Sequence, residues 1–219
     1  MLESREKSAV VAWLQSRKEG LLSELKEVTC DMWDAYVEAT KEVFGDKVII
    51  TIDRFHVMKN FQQRLDEARR EIQNKLPEEQ ARELKGSRWL WLTNFQNLRP
   101  EQQAELEKLK KRFPALARLS EHRETLRNIF EDGRFRQPES AKVWLRDWCE
   151  RGRKMGLKAL EKFNQTLENW MDWIANYFVT RSTNGRTEGF NRGLRAILWR
   201  ACGMRNFTHF RLRVLHAFG

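Results

Sequence analysis

The sequence predicts a mostly α-helical protein with a small parallel β unit near its start. Three observations predict it. Val48-Ile49-Ile50-Thr51-Ile52 is a continuous apolar run, the pattern of a strand covered on both faces inside a parallel sheet. Apolar residues recur at three and four from Met58 to Leu76 and again from Leu157 to Phe178, as they do along amphipathic helices. Pro77 stops one such run, while Pro100, Pro114 and Pro138 each open another, at a first helical turn where a missing N–H costs nothing.

Taken in order, residues 6–18 form a short amphipathic helix through Val10, Val11, Trp13 and Leu14. Beyond Gly20, Glu27-Val28-Thr29-Cys30-Asp31 reads as a short strand ended by an acid. A helix follows with Trp33, Tyr36, Val37, Val43 and Phe44 on one side, and Gly45-Asp46 signals its end. The strand 48–52 comes next, with Asp53-Arg54-Phe55-His56 directly after it. Strand, helix and strand make one right-handed crossover, which puts Asp31 and Asp53 at the C-terminal ends of both strands. Open α/β sheets place their sites at that edge. Two strands are too few to stand alone, so the expectation is a sheet with more strands than this chain supplies.

From residue 57 to 178 the sequence is a helical block, with further apolar sets at Leu106, Leu109 and Phe113, at Leu116, Leu119, Leu126, Ile129 and Phe130, and at Ala141, Trp144, Leu145 and Trp148. The expected organisation is therefore a partial α/β core over 1–56, a helical insertion over 57–178, and basic helices over 179–219, the last of them Phe207–Phe218.

The totals narrow the partners. Forty-one Lys and Arg against 31 Asp and Glu give a net charge of +10, which points to a polyanion, nucleic acid first among them. No apolar run reaches the roughly 18 residues that a membrane span needs, and the start lacks a basic-then-apolar secretory signal. The three cysteines, Cys30, Cys149 and Cys202, are far apart and offer neither a disulfide framework nor a CxxC metal site, which suits a reducing cytoplasm. Most of the nine Trp are spaced as packing residues: Trp144 and Trp148 four apart, Trp170 and Trp173 three apart.

Charge concentrates at the end. Between Arg181 and Gly219 stand eight Arg, no Lys and a single acid, Glu188, a local charge of +7. In a helix from about Thr187, Asn184, Glu188, Asn191, Arg192 and Arg195 share one face, while Phe190, Leu194, Ile197 and Ala201 form a second face suited to packing. The polar face suits a divalent metal beside a phosphate backbone. It equally suits a plain Glu188–Arg192 ion pair one turn apart. Arg181, Arg186, Arg192, Arg195 and Arg200 are the expected DNA contacts.

Cutting or joining a phosphodiester with Mg²⁺ needs carboxylates converging on two ions about 4 Å apart, one activating the attacking oxygen and one stabilising the leaving oxygen. Asp31 and Glu188 would supply two, if the helical block returns the chain to the sheet.

Several stretches are recognisable: Val28-Thr29-Cys30-Asp31-Met32-Trp33-Asp34-Ala35-Tyr36, Ile52-Asp53-Arg54-Phe55-His56-Val57, Ser182-Thr183-Asn184 through Asn191, and Gly203-Met204-Arg205-Asn206-Phe207. In this order they resemble the transposases of the ISL3 insertion-sequence family, from about residue 3 to the end. The resemblance implies a ribonuclease-H-like catalytic domain with a DDE triad, interrupted by a helical insertion before the glutamate. It matches Asp31 to the second aspartate and Glu188 to the glutamate, with Mg²⁺ as cofactor and transposon ends as substrate. Asp53 and His56 match an acid-x-x-His motif of this and related transposase superfamilies, and Asn184 and Asn191 flank the glutamate. The family's first aspartate, its Cys-rich zinc stretch and its helix-turn-helix precede all of this, and none has a counterpart here. The expectation is the C-terminal part of such an enzyme, inactive alone and weak in Mg²⁺ binding, with a homo-oligomer as one possible state.

Other readings remain open at single residues. Asp31 fits an N-cap for a helix from Met32, Asp53 fits an N-cap for a helix from Arg54, and His56 fits a core histidine beside Phe55 and Val57. A non-catalytic nucleic-acid-binding helical protein is the alternative function.

Overall fold

The computed structural model describes residues 4–202 and 204–218 and divides the chain into two compact units, 1–53 with 181–219 and 54–180. Gly203, part of the motif that begins there, lies outside the described residues.

The first unit opens with helix α1, Lys7–Gln15, whose Val10, Val11 and Leu14 are buried. Strand β1, Glu27–Cys30, leads to helix α2, Asp34–Phe44. α2 ends at Gly45, whose φ of 61° is a left-handed conformation that glycine adopts without a Cβ penalty. After a short 3₁₀ turn comes strand β2, Ile49–Ile52, paired in parallel with β1 in the register Glu27–Ile49 to Cys30–Ile52. α1 and α2 close over a small core of Val10, Val11, Leu14, Ala39 and Val43, flanked by Trp13, Leu22, Tyr36 and Phe44. The Lys18 ammonium donates to the Val43 carbonyl at 2.7 Å, a cation at the C-terminal end of α2 where the peptide dipoles favour it.

The second unit is helical among its described residues. Helix α3, Arg54–Gln73, runs up to Pro77 through turns, as the periodicity requires. Two short helices that the apolar pattern does not announce follow, α4 (Glu78–Glu83) and α5 (Arg88–Leu92). Helices α6 (Pro100–Arg112), α7 (Pro114–Glu131) and α8 (Pro138–Arg153) each begin on the proline that predicts them. The run from Leu157 to Phe178 is two helices rather than one, α9 (Lys158–Asn169) and α10 (Met171–Thr180). Trp170, at φ −105° and ψ 6°, leaves helical geometry between them. The apolar period carries across the break because Leu167 and Met171 are both buried, so spacing alone cannot reveal it.

The core of this unit forms where α3, α7, α8 and α9 pack. Phe61 meets Phe163 at 4.6 Å and Trp148 at 5.5 Å between ring centroids, and His122 stacks on Trp148 at 3.8 Å. The Trp148 indole N–H donates to the His122 carbonyl at 3.1 Å. Of the tryptophans spaced for packing, Trp148 is fully buried while Trp144, Trp170 and Trp173 are half-buried; Trp91 is buried too, and Trp89 and Trp199 stand in solvent.

Helix α11, Gly185–Arg200, and helix α12, Phe207–Phe218, complete the first unit. They pack on each other, with Phe190 and Phe218 in edge contact at 5.3 Å between centroids. A Cβ on Gly193 would run into the Phe218 ring, so the absence of a side chain there lets the ring approach. The expected packing face of α11 is not buried: Phe190 is exposed, Leu194, Ile197 and Ala201 are half-buried, and no residue of the helix is fully covered. β2 departs from expectation at one residue, Ile49, which is exposed while Ile50, Thr51 and Ile52 are buried.

Candidate functional site at the sheet edge

Asp31 and Asp53 follow the two strands at their C-terminal edge. Asp31 directly follows β1 and is half-buried. The Asp53 N–H donates to the Cys30 carbonyl at 3.1 Å, which sets the residues after both strands side by side. Asp53 is buried, and its Oδ2 accepts the Asn184 N–H at 2.8 Å. The Asn184 carbonyl in turn accepts the Glu188 N–H at 2.8 Å, in the first turn of α11. Three hydrogen bonds therefore connect the end of β1 to the backbone of Glu188 across more than 130 residues of intervening sequence. The carboxylate also stands at a helix N-terminus, where unpaired N–H groups and the helix dipole favour negative charge.

A second tie lies beside it. Glu27, the first residue of β1, accepts the Thr51 hydroxyl at 2.8 Å through Oε1 and the Ser182 hydroxyl at 2.7 Å through Oε2. Sequence reasoning passed over Glu27. The signal was present as an acid at the head of a strand otherwise made of Val, Thr and Cys, where a carboxylate needs partners. Arg181 precedes this segment with φ 58°, a left-handed backbone that a residue bearing a Cβ adopts only where its surroundings impose it.

The Glu188 carboxylate is partly exposed and lies 3.4 Å from the Arg195 guanidinium. This corrects the expected Glu188–Arg192 pair: the recorded ion pair runs to the residue seven positions along, on the same face. The N-cap reading of Asp31 is also corrected, since α2 begins at Asp34 with Trp33 as its cap residue; the Trp33 N–H turns back to the Asp31 carbonyl at 2.8 Å. Asp53 does immediately precede α3, and its carboxylate serves the start of a different helix. His56 lies in the first turn of α3, in the helical unit, half-buried and in edge contact with Phe55 at 5.5 Å rather than in the core. Asn184 and Asn191 are half-buried; Arg186, Arg192, Arg195 and Arg200 are exposed, and Arg181 is half-buried.

As a donor set, carboxylates with neighbouring amides are hard oxygen ligands of the kind Mg²⁺ takes, alongside waters and substrate phosphates. Among the described residues, no three His, Cys, Asp or Glu side chains are grouped closely enough to enclose an ion by themselves. The donor types suit Mg²⁺.

The family model DDE_Tnp_ISL3, described as "Transposase", matches residues 1–214. The chain is similar to the transposase for insertion sequence element IS1001 of Bordetella parapertussis, with 27% identity over 217 residues, 98% of this chain and 52% of that protein. The chain thus spans about half the length of the curated relative it matches. No solved structure matches. Among the described residues, no helix is long and apolar enough to cross a membrane.

Proposed function

Because the chain belongs to the DDE_Tnp_ISL3 transposase family, we propose that it serves DNA transposition, with Asp31 and Glu188 as two carboxylates of a divalent-metal centre that cuts and rejoins insertion-sequence ends. The observation that carries this reading is the hydrogen bond from Asn184 to Asp53, which ties the first turn of the Glu188 helix to the strand end beside Asp31. On this reading β1, α2, β2 and α11 belong to a ribonuclease-H-like core, and residues 54–180 are an insertion within it. The parallel strand–helix–strand order and the membership of 1–53 and 181–219 in one compact unit support it.

Asp31 and Glu188 would hold the Mg²⁺, and Asn184 and Asn191 flank them. A bound ion supplies Lewis acidity at the scissile phosphate. The chain's own part is to aim the two carboxylates and to hold the phosphate backbone with Arg186, Arg192, Arg195 and Arg200. Arg195 has two tasks: it neutralises Glu188 in the resting protein and is free to turn to phosphate when a cation takes its place.

The test is nicking of insertion-sequence-end DNA with Mg²⁺ by the chain and by its Asp31→Asn and Glu188→Gln variants, alongside duplex binding. Two carboxylates are too few for turnover, so the chain binds end DNA without cutting it, and the variants behave alike. Cutting that both substitutions abolish would establish the site and refute the two-carboxylate account. Cutting that survives them would refute the site.

A further inference from the structure

The α11–α12 pair carries a feature that the carboxylates do not use. An open groove of about 500 Å³ lies between the helices, lined by Ile197 and Arg200 from α11 and by Leu212, Arg213 and His216 from α12. Among the described residues no carboxylate pairs with Arg200, Arg213 or His216, and Glu188 is the one acid in either helix. Leu212 is 59% exposed, and Trp199, next to Arg200, is 83% exposed. Two aliphatic side chains and three basic ones therefore share one concavity on a surface with a strong excess of positive charge.

Such a lining asks for a ligand that is anionic at one end and flat and apolar at the other. The volume falls within the roughly 300–1,000 Å³ of small-ligand pockets, which is too compact for the length of a partner helix laid along its apolar face. A nucleotide has both ends: a phosphate for the guanidinium groups and a base face for the aliphatic floor. In a duplex the base faces are stacked on each other and unavailable, so the base offered here must be unpaired.

We propose that the α11–α12 groove is a binding site for an unpaired nucleotide of a DNA strand, with phosphate on Arg200, Arg213 and His216 and the base on Ile197 and Leu212. This rests on the chain's being a DNA-acting protein and adds the form of DNA it holds: an unpaired strand at the C-terminal end of α11 rather than intact duplex alone.

The experiment measures fluorescence anisotropy of labelled single-stranded oligonucleotides and matched duplexes over a salt series, for the intact chain and for Leu212→Gln and Arg213→Gln. Both positions are exposed and glutamine is a good helix former, so the fold should survive, which circular dichroism checks. Leu212→Gln is expected to weaken single-strand binding by roughly fivefold or more and to leave duplex binding within about twofold, because only an unstacked base can use an apolar floor. Arg213→Gln is expected to lower the salt slope for single strands by about 0.7. Single-strand affinity untouched by either change, or equal loss on both DNA forms with Leu212→Gln, would overturn the groove while leaving the transposition reading intact. Failure of the intact chain to bind either form would remove that reading itself. Binding of an acidic amphipathic peptide in place of oligonucleotide would overturn the nucleotide site in favour of a protein partner.

Discussion

Asp53 illustrates how much rests on one buried side chain. Replacing it with Ala strips the Asn184 N–H of its acceptor and should cost about 1.5–3 kcal/mol, the range for a hydrogen bond to a charged group, read from urea unfolding. Asp53→Asn keeps an acceptor and should lose clearly less. Glu188 behaves in the opposite way. Its carboxylate is partly exposed and its Arg195 partner largely so, so Glu188→Gln should shift the unfolding midpoint little. His122 offers a pH test. Burial, with the Arg151 charge adding to it, pushes its imidazole down to about 4, and its Nε2 has no hydrogen-bond partner. Between the ordinary 6.5 and 4 the unfolded chain takes up a proton that the folded chain refuses, so stability falls as pH drops through this window, by about 3 kcal/mol in all. His122→Phe, which can keep a ring on Trp148, should remove that share of the pH dependence.

At the scale of elements, the helical unit depends on close approach where α7, α8 and α9 meet. A Cβ on Gly152 of α8 would lie 2.9 Å from His122 Nε2 and 3.4 Å from Asn164 Nδ2, both on buried side chains. Gly152→Ala should therefore destabilise by about 1–3 kcal/mol, although alanine favours the helix itself. Such contacts are invisible in sequence, whereas much of the element order was not. The apolar run of β2 and the prolines at 100, 114 and 138 mark boundaries by local chemistry, and the structure follows them. The break at Trp170 was hidden because burial continues through it. The open face of α11 was hidden for a different reason: periodicity says that a helix has an apolar side and is silent on whether anything covers it. At the sheet edge, the hydrogen bonds that run from Cys30 through Asp53 and Asn184 to the Glu188 backbone depend on long-range folding and were not legible in the sequence. Glu27, with partners on β2 and at Ser182, was not singled out at all.

At the scale of the whole molecule, charge sets what the proposed function predicts for DNA binding. With a net charge of +10 and eight Arg after residue 180, duplex binding should weaken steeply with salt, its logarithmic slope near −0.9 per phosphate neutralised. Arg192→Gln should reduce that slope by about one and lower affinity across sequences alike, since phosphate contacts position without reading bases. The match over residues 1–214 supplies the family, and the chain covers about half the length of the IS1001 relative. The central claim is that Asp31 and Glu188 address one cation next to DNA. Its most direct test is Mn²⁺ binding followed by electron paramagnetic resonance, with an end oligonucleotide present to supply phosphate oxygens, in the intact chain and in Asp31→Asn and Glu188→Gln. The account predicts a bound Mn²⁺ signal that either substitution weakens about equally. Mn²⁺ affinity unchanged in both variants would contradict it.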